Sequence, residues 1–266
     1  MDTCNFQTAD IILFLGKMCN AGDIIDGDDC ENEELEKFFV NYVVPQAQKH
    51  GFSFKYDCKK SFSSFVEKNA DAIGKAAKVL VLDSMNEILV SKPQFDESDQ
   101  SLETHPISWY SNLIMALSEH LSCDFDDNEM LLYMRTINYL CQCLSEEFKK
   151  VQNYITTQTP SRVQLIWHLA LCELNEQAIV YVIGAWQFVI FMTQLKKSAD
   201  SISETEMDTM SEHDTTLLME AMSVLEESDD VCCLDCDEED DDYDDEDDDD
   251  SDDEEASCHQ SCCKRR

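Results

Sequence analysis

The chain has 266 residues, enough for one large domain or two small ones. Its net charge of −38 opposes binding to nucleic acid or to an anionic membrane, because both need Lys and Arg facing phosphate. With 43% hydrophobic residues a core can be buried, while only 6 Gly and 4 Pro leave few turns for an all-β fold, so long helices are expected.

The first helix begins in Asp10-Ile11-Ile12-Leu13-Phe14-Leu15, and the polar stretch from Ala21 to Asn32 reads as a loop. Glu33 to His50 is a second helix, with Phe38, Phe39, Tyr42 and Val43 on one face. Pro45 lies inside it and should kink it, since proline lacks a backbone donor. Ser61 to Val90 is a long third helix, and the polar segment Ser91 to Pro106 a loop. Ser108 to Leu121 and Asn128 to Tyr154 are the fourth and fifth helices, Ser161 to Lys197 holds two more, and Ser211 to Glu226 is a last amphipathic one. The most apolar run, Ala178 to Met192, suits a helix buried on nearly all sides. A membrane span needs about 20 residues, and Gln187 and Gln194 interrupt the run, so membrane association is not favoured.

Composition changes near Glu226. From Asp237 to Glu255 every residue except Tyr243 and Ser251 is acidic. Nothing apolar there offsets lost chain entropy, so a disordered tail is expected. The expected division is a helical domain over 1–225 and a tail over 226–266. Of fourteen cysteines, eight are scattered between Cys4 and Cys172 and six lie at Cys232 or later. With Asp2 and Asp10 where a basic leader region would be, the first eight read as free thiols in a reducing compartment, cytoplasmic or nuclear.

Four segments carry a resemblance. Leu35 to Phe54, an amphipathic stretch ending Lys49-His50-Gly51-Phe52-Ser53-Phe54, resembles the fourth homology motif of the Bcl family of apoptosis regulators. Val66-Glu67-Lys68-Asn69-Ala70-Asp71-Ala72-Ile73, with Phe62 one turn before it, resembles the third. Leu165-Ile166-Trp167 is similar to the helix before the second motif, and Gly184-Ala185-Trp186 to that motif's Gly-Gly-Trp, with Ala185 in place of the second Gly. The order is that of the family, and coverage runs over about 33–195. The first motif, Asn-Trp-Gly-Arg, is not legible; Asp126-Asp127-Asn128 followed by Leu131 to Arg135 stands in its place. The resemblance implies an all-α bundle around a central apolar helix at about 128–150, and a groove that accepts the death-motif helix of a pro-apoptotic protein. Phe62, Val66, Asp71, Ile73, Leu131, Arg135 and Trp186 would line that groove, with Arg135 pairing an aspartate of the partner. A solvated Arg135 and ordinary helix roles for Val66 and Asp71 are the bland alternatives.

In the tail, Leu234-Asp235-Cys236-Asp237-Glu238 resembles the Leu-x-Cys-x-Glu segment with which DNA-virus early oncoproteins bind the retinoblastoma pocket. Leu234 and Cys236 would plug the pocket, Glu238 would accept hydrogen bonds at its end, and the acidic flank suits a lysine-rich rim. A solvated tail with an accidental match is the alternative. Ser251-Asp252-Asp253-Glu254 resembles an acidophilic kinase site. Cys233, Cys236, Cys258, Cys262, Cys263 and His259 could instead hold zinc, which would exclude pocket binding through Cys236. No phosphate loop, His-Glu-x-x-His or other catalytic pattern is present, so neither enzyme activity nor a cofactor is expected. A viral apoptosis regulator with a retinoblastoma-binding tail is the leading reading, ahead of an unrelated helical adaptor acting through the tail and of a zinc-dependent module.

Overall fold

The computed structural model describes residues 7–19, 29–57, 59, 61–91, 93, 95, 101–118, 124–202 and 211–234. Among them the secondary structure is entirely helical. The chain divides into two compact units, Met1–Ser228 and Asp229–Arg266; in the second, only the backbone of 229–234 is described.

Helix α1, Thr8–Cys19, buries Ile12, Leu15, Gly16 and Met18 and packs on α4, Phe62–Val90, and α5, Pro106–Ser118. Close approach of α1 to α4 depends on Gly74: a Cβ there would lie 3.3 Å from the Cys19 carbonyl oxygen. Helix α2, Asp29–Phe38, continues through a π-helical turn, Phe39–Val43, into α3, Val44–Lys49. The kink expected from Pro45 is therefore absorbed. Pro45 opens α3, where an N–H is dispensable, and the wider turn before it closes with the Val44 N–H bonding the Phe39 carbonyl. Helix α3 ends in a Schellman motif: the Phe52 N–H reaches the Ala47 carbonyl at 3.1 Å and the Gly51 N–H the Gln48 carbonyl at 3.2 Å. Gly51 turns the chain at φ 83°, the left-handed conformation that favours glycine. The alternating aromatics beyond it fold back: Phe39 touches the rings of Phe54, Tyr56, Phe62 and Phe65, and the Tyr56 hydroxyl donates to Glu36 Oε1 at 2.7 Å.

Helix α4 starts at Ser61, whose Oγ accepts the Ser64 N–H. Its buried residues recur at helical spacing from Phe62 through Val66, Ile73, Ala77, Leu80 and Ser84 to Ile88. Helix α5 is buried on more than one face, at Ile107, Ser108, Tyr110, Ser111, Leu113, Ile114, Ala116 and Leu117. It packs against α1, α6 (Asp127–Thr157), α7 (Arg162–Leu174) and α8 (Glu176–Ile183). This places α5, and not the segment 128–150, nearest the middle. Helix α6 is a surface helix: it buries Tyr133, Thr136, Leu140, Leu144, Phe148 and Val151 along one face and exposes the other. Its start is fixed by a capping box, with Asp126 Oδ1 accepting from the Glu129 N–H at 2.9 Å and Glu129 Oε2 from the Asp126 N–H at 2.8 Å.

The segment expected to hold two helices holds three, α7, α8 and α9 (Ala185–Ser201). The breaks fall at Asn175, whose Nδ2 donates to the Leu171 carbonyl and to Ser108 Oγ on α5, and at Gly184, at φ 90° and ψ 142°. Helix α10, Glu212–Leu234, continues past Glu226, where the tail was expected to begin. It buries Leu217 and Ala221 and accepts the Leu102 N–H at Glu220 Oε1, 2.8 Å. No helix of the described residues is long and apolar enough to cross a membrane.

Candidate functional site

Three of the expected groove residues are core. Phe62 and Val66 are buried on α4, with Phe62 against the Phe39 and Tyr56 rings, and Ile73 is fully buried farther along. They cannot line a surface groove, because the same periodicity that suggested a motif also suits the buried face of α4. Asp71 lies on the solvent side of α4, 2.7 Å from Lys75 Nζ one turn on. Such an exposed pair contributes little to stability.

Leu131, Arg135 and Trp186 are at the surface. On α6, Leu131 is 50% and Met134 58% exposed, and Arg135 beside them is exposed with no carboxylate partner among the described residues. The spacing i, i+3, i+4 sets the three on one patch of helix. Leu131 and Met134 cannot reach the core, since Tyr133, Thr136 and Leu140 occupy the inward face. Helix α8 packs against α6, and the exposed Tyr181 lies close enough to Tyr133 to raise its pKa, after the larger effect of burial.

Trp186, 77% exposed, sits at the start of α9 and belongs to a second surface. The expectation of one helix over Ala178 to Met192 buried on nearly all sides is overturned. Gly184 breaks the run, Phe188, Phe191, Met192 and Leu195 face inward, and Tyr181, Trp186, Val189 and Ile190 face out. Sequence reasoning missed Met134 and, apart from Trp186, this outward stripe. Both were legible only as apolar positions in excess of what one buried face requires.

A third cluster is structural. His105 caps α5: its Nδ1 accepts the Ile107 N–H at 3.2 Å, and its ring stands edge-on to Trp167. Burial, aided by nearby His168, lowers its pKa to about 4. His168 Nδ1 bonds the Gln164 carbonyl at 2.6 Å, and burial lowers its pKa too. A donated Ile107 N–H requires an unprotonated Nδ1, so both geometry and burial favour the neutral ring.

Among the described residues no group of three or more His, Cys, Asp or Glu side chains could hold a metal ion. Cys172 is buried, with its thiol pKa pushed up to about 12 by burial, which makes it a poor nucleophile. In the tail, Leu234 and Cys233 lie in the last turn of α10, of which only the backbone is described. Cys236, Glu238, Ser251, Cys258, His259, Cys262 and Cys263 lie outside the described residues.

No protein-family model matches the chain, no curated protein matches it, and no solved structure matches it. The class that the described residues define is an all-helical protein.

Proposed function

We propose that the chain is a non-enzymatic interaction protein whose domain binds an amphipathic partner helix on the outward face of α6. The observation that carries this is the Leu131, Met134 and Arg135 patch: two exposed apolar side chains beside a cation with no carboxylate partner among the described residues. A partner helix would cover Leu131 and Met134 with its apolar stripe and set its register by placing a carboxylate on Arg135. The order of the Bcl-like segments directs the choice of partner to the death-motif helix of a pro-apoptotic protein, with α5 in the role of central helix. The groove is then the α6 face, without Phe62, Val66 or Ile73.

The tail supplies a second contact, in which Leu234, Cys236 and Glu238 engage a retinoblastoma-type pocket protein. Helix α10 ends at Leu234, so extended binding requires its last turn to open, a small demand at a helix end. Restraint of cell death together with cell-cycle release suits a DNA virus acting in the cytoplasm and nucleus of an animal cell.

A fluorescent death-motif peptide should bind the full chain at micromolar concentration or tighter, and Arg135→Glu or Leu131→Glu should weaken it at least about tenfold, roughly 1.4 kcal/mol. Absence of binding at that concentration rejects the apoptosis reading. Pull-down by the retinoblastoma pocket should disappear with Cys236→Gly and Glu238→Ala together. If the pull-down behaves so while no death-motif peptide binds, the chain is an unrelated adaptor acting through its tail.

A further inference from the structure

The outward stripe of α9 is a separate surface. Trp186, Val189, Ile190 and Thr193 recur at i, i+3, i+4 and i+7 on the solvent side, and Lys197 continues the row one turn later. The inward side is already filled by Phe188, Phe191, Met192, Leu195 and Ala199. With Tyr181, the stripe exposes on the order of 500 Å², the upper end of what monomers show.

We infer that this face is a homodimer interface in which α9 pairs antiparallel with α9 of a second copy. Two observations select that occupant. The first is charge. From Gln177 to Leu195 there is no Asp, Glu, Lys or Arg, in a chain of net charge −38. Two like-charged copies repel over most of their surfaces, and this stripe is where they can meet without burying an acidic side chain. An anionic lipid surface is disfavoured by the same net charge.

The second observation is self-complementarity. A two-fold axis between positions 191 and 192 sets Ile190 opposite Thr193 of the second copy. The same axis sets Trp186 opposite Lys197 of the second copy, each pairing occurring twice. At the centre Ile190 then covers Thr193, whose hydroxyl already donates to the Val189 carbonyl of its own helix. At each end an ammonium lies over an indole face, a favourable cation–π arrangement. Lys197 is exposed, while the neighbouring Lys196 is held by Glu173 at 3.2 Å. The pair would bury about 1,000 Å² in total, the lower bound for a specific interface, so a weak, reversible dimer is expected.

The test is sedimentation equilibrium of the full chain from 1 to 200 μM without any peptide. The expected result is a monomer–dimer equilibrium that Ile190→Glu abolishes, with an unchanged far-ultraviolet circular dichroism spectrum. Lys197→Glu should weaken association about threefold to tenfold, and Trp186→Ala by a comparable factor. A wild-type chain monomeric throughout the range overturns the inference, as does a dimer unaffected by Ile190→Glu. Stripe-dependent pelleting with zwitterionic vesicles by a monomeric chain would assign the face to lipid, and stripe-dependent capture of a death-motif peptide by a monomer would assign it to that ligand. Both outcomes overturn the dimer. Peptide binding at Leu131 and Arg135 is read separately, so either proposal can fail alone.

Discussion

Helices α6 and α9 touch through Phe148 and Phe191, whose ring centroids are 4.9 Å apart, yet they treat solvent in opposite ways. Along most of its length α6 pairs a buried apolar face with an outer face carrying Glu146, Lys149 and Lys150. Helix α9 carries no charge over its first three turns, and besides its buried apolar face it exposes Trp186, Val189 and Ile190. The difference teaches that hydrophobicity alone does not report burial. An apolar run longer than one core-facing stripe requires still has an outside, and a broken helix such as α8–α9 cannot be enclosed on all sides when its neighbours supply only one packing surface.

The sharpest way to break this contrast is to truncate the two sides of α9 separately. Phe191→Ala empties a site packed against Phe148 and should lower unfolding free energy by about 3–5 kcal/mol. Trp186→Ala, at the same protein concentration and below the dimerisation range, should change it by less than about 0.5 kcal/mol. Urea denaturation measures both, and similar losses would mean that the outward stripe is covered within the monomer.

Acid comes next in size and tests the core that both helices share. His105 has a folded-state pKa lowered to about 4 from 6.5, so the unfolded chain takes up the proton first. Its contribution is complete above pH 6.5 and is lost as pH falls through 4, a decline of up to about 3 kcal/mol. The His105→Gln variant should flatten this part of the stability–pH profile, and an unchanged profile would show that other groups carry the acid sensitivity.

The starts of the two helices provide smaller tests. Gly184→Ala forces a side chain onto φ 90° and should cost about 1–3 kcal/mol, even though open space surrounds the position. Asp126→Ala removes the capping box of α6 and should cost about 1 kcal/mol. Thermal melts rank the pair; a larger loss at Asp126 than at Gly184 would mean that the α8–α9 break is soft.

Much of the local structure was legible in the residues. Helix α4 was found almost to its ends because its apolar spacing persists to Ile88 and Ser61 supplies an N-cap. Helix α6 was expected from Asn128 and begins at Asp127, because Asp126 caps it. Pro45 was read as a kink, and a π-helical turn resolved it, because rearranging the backbone bonds just upstream accommodates a missing N–H. The site was less legible. Phe62, Val66 and Ile73 fit both a binding motif and a core stripe, and periodicity cannot separate the two.

Charge, helical class and the apolar faces were thus determined by the sequence alone, since they follow from composition and from the 3.6-residue repeat. Which apolar face meets protein and which meets water was decided only by the tertiary structure. That choice depends on how many neighbours a helix has in space: α5 has them on several sides and is buried, while α9 lacks them on one and leaves Trp186, Val189 and Ile190 exposed.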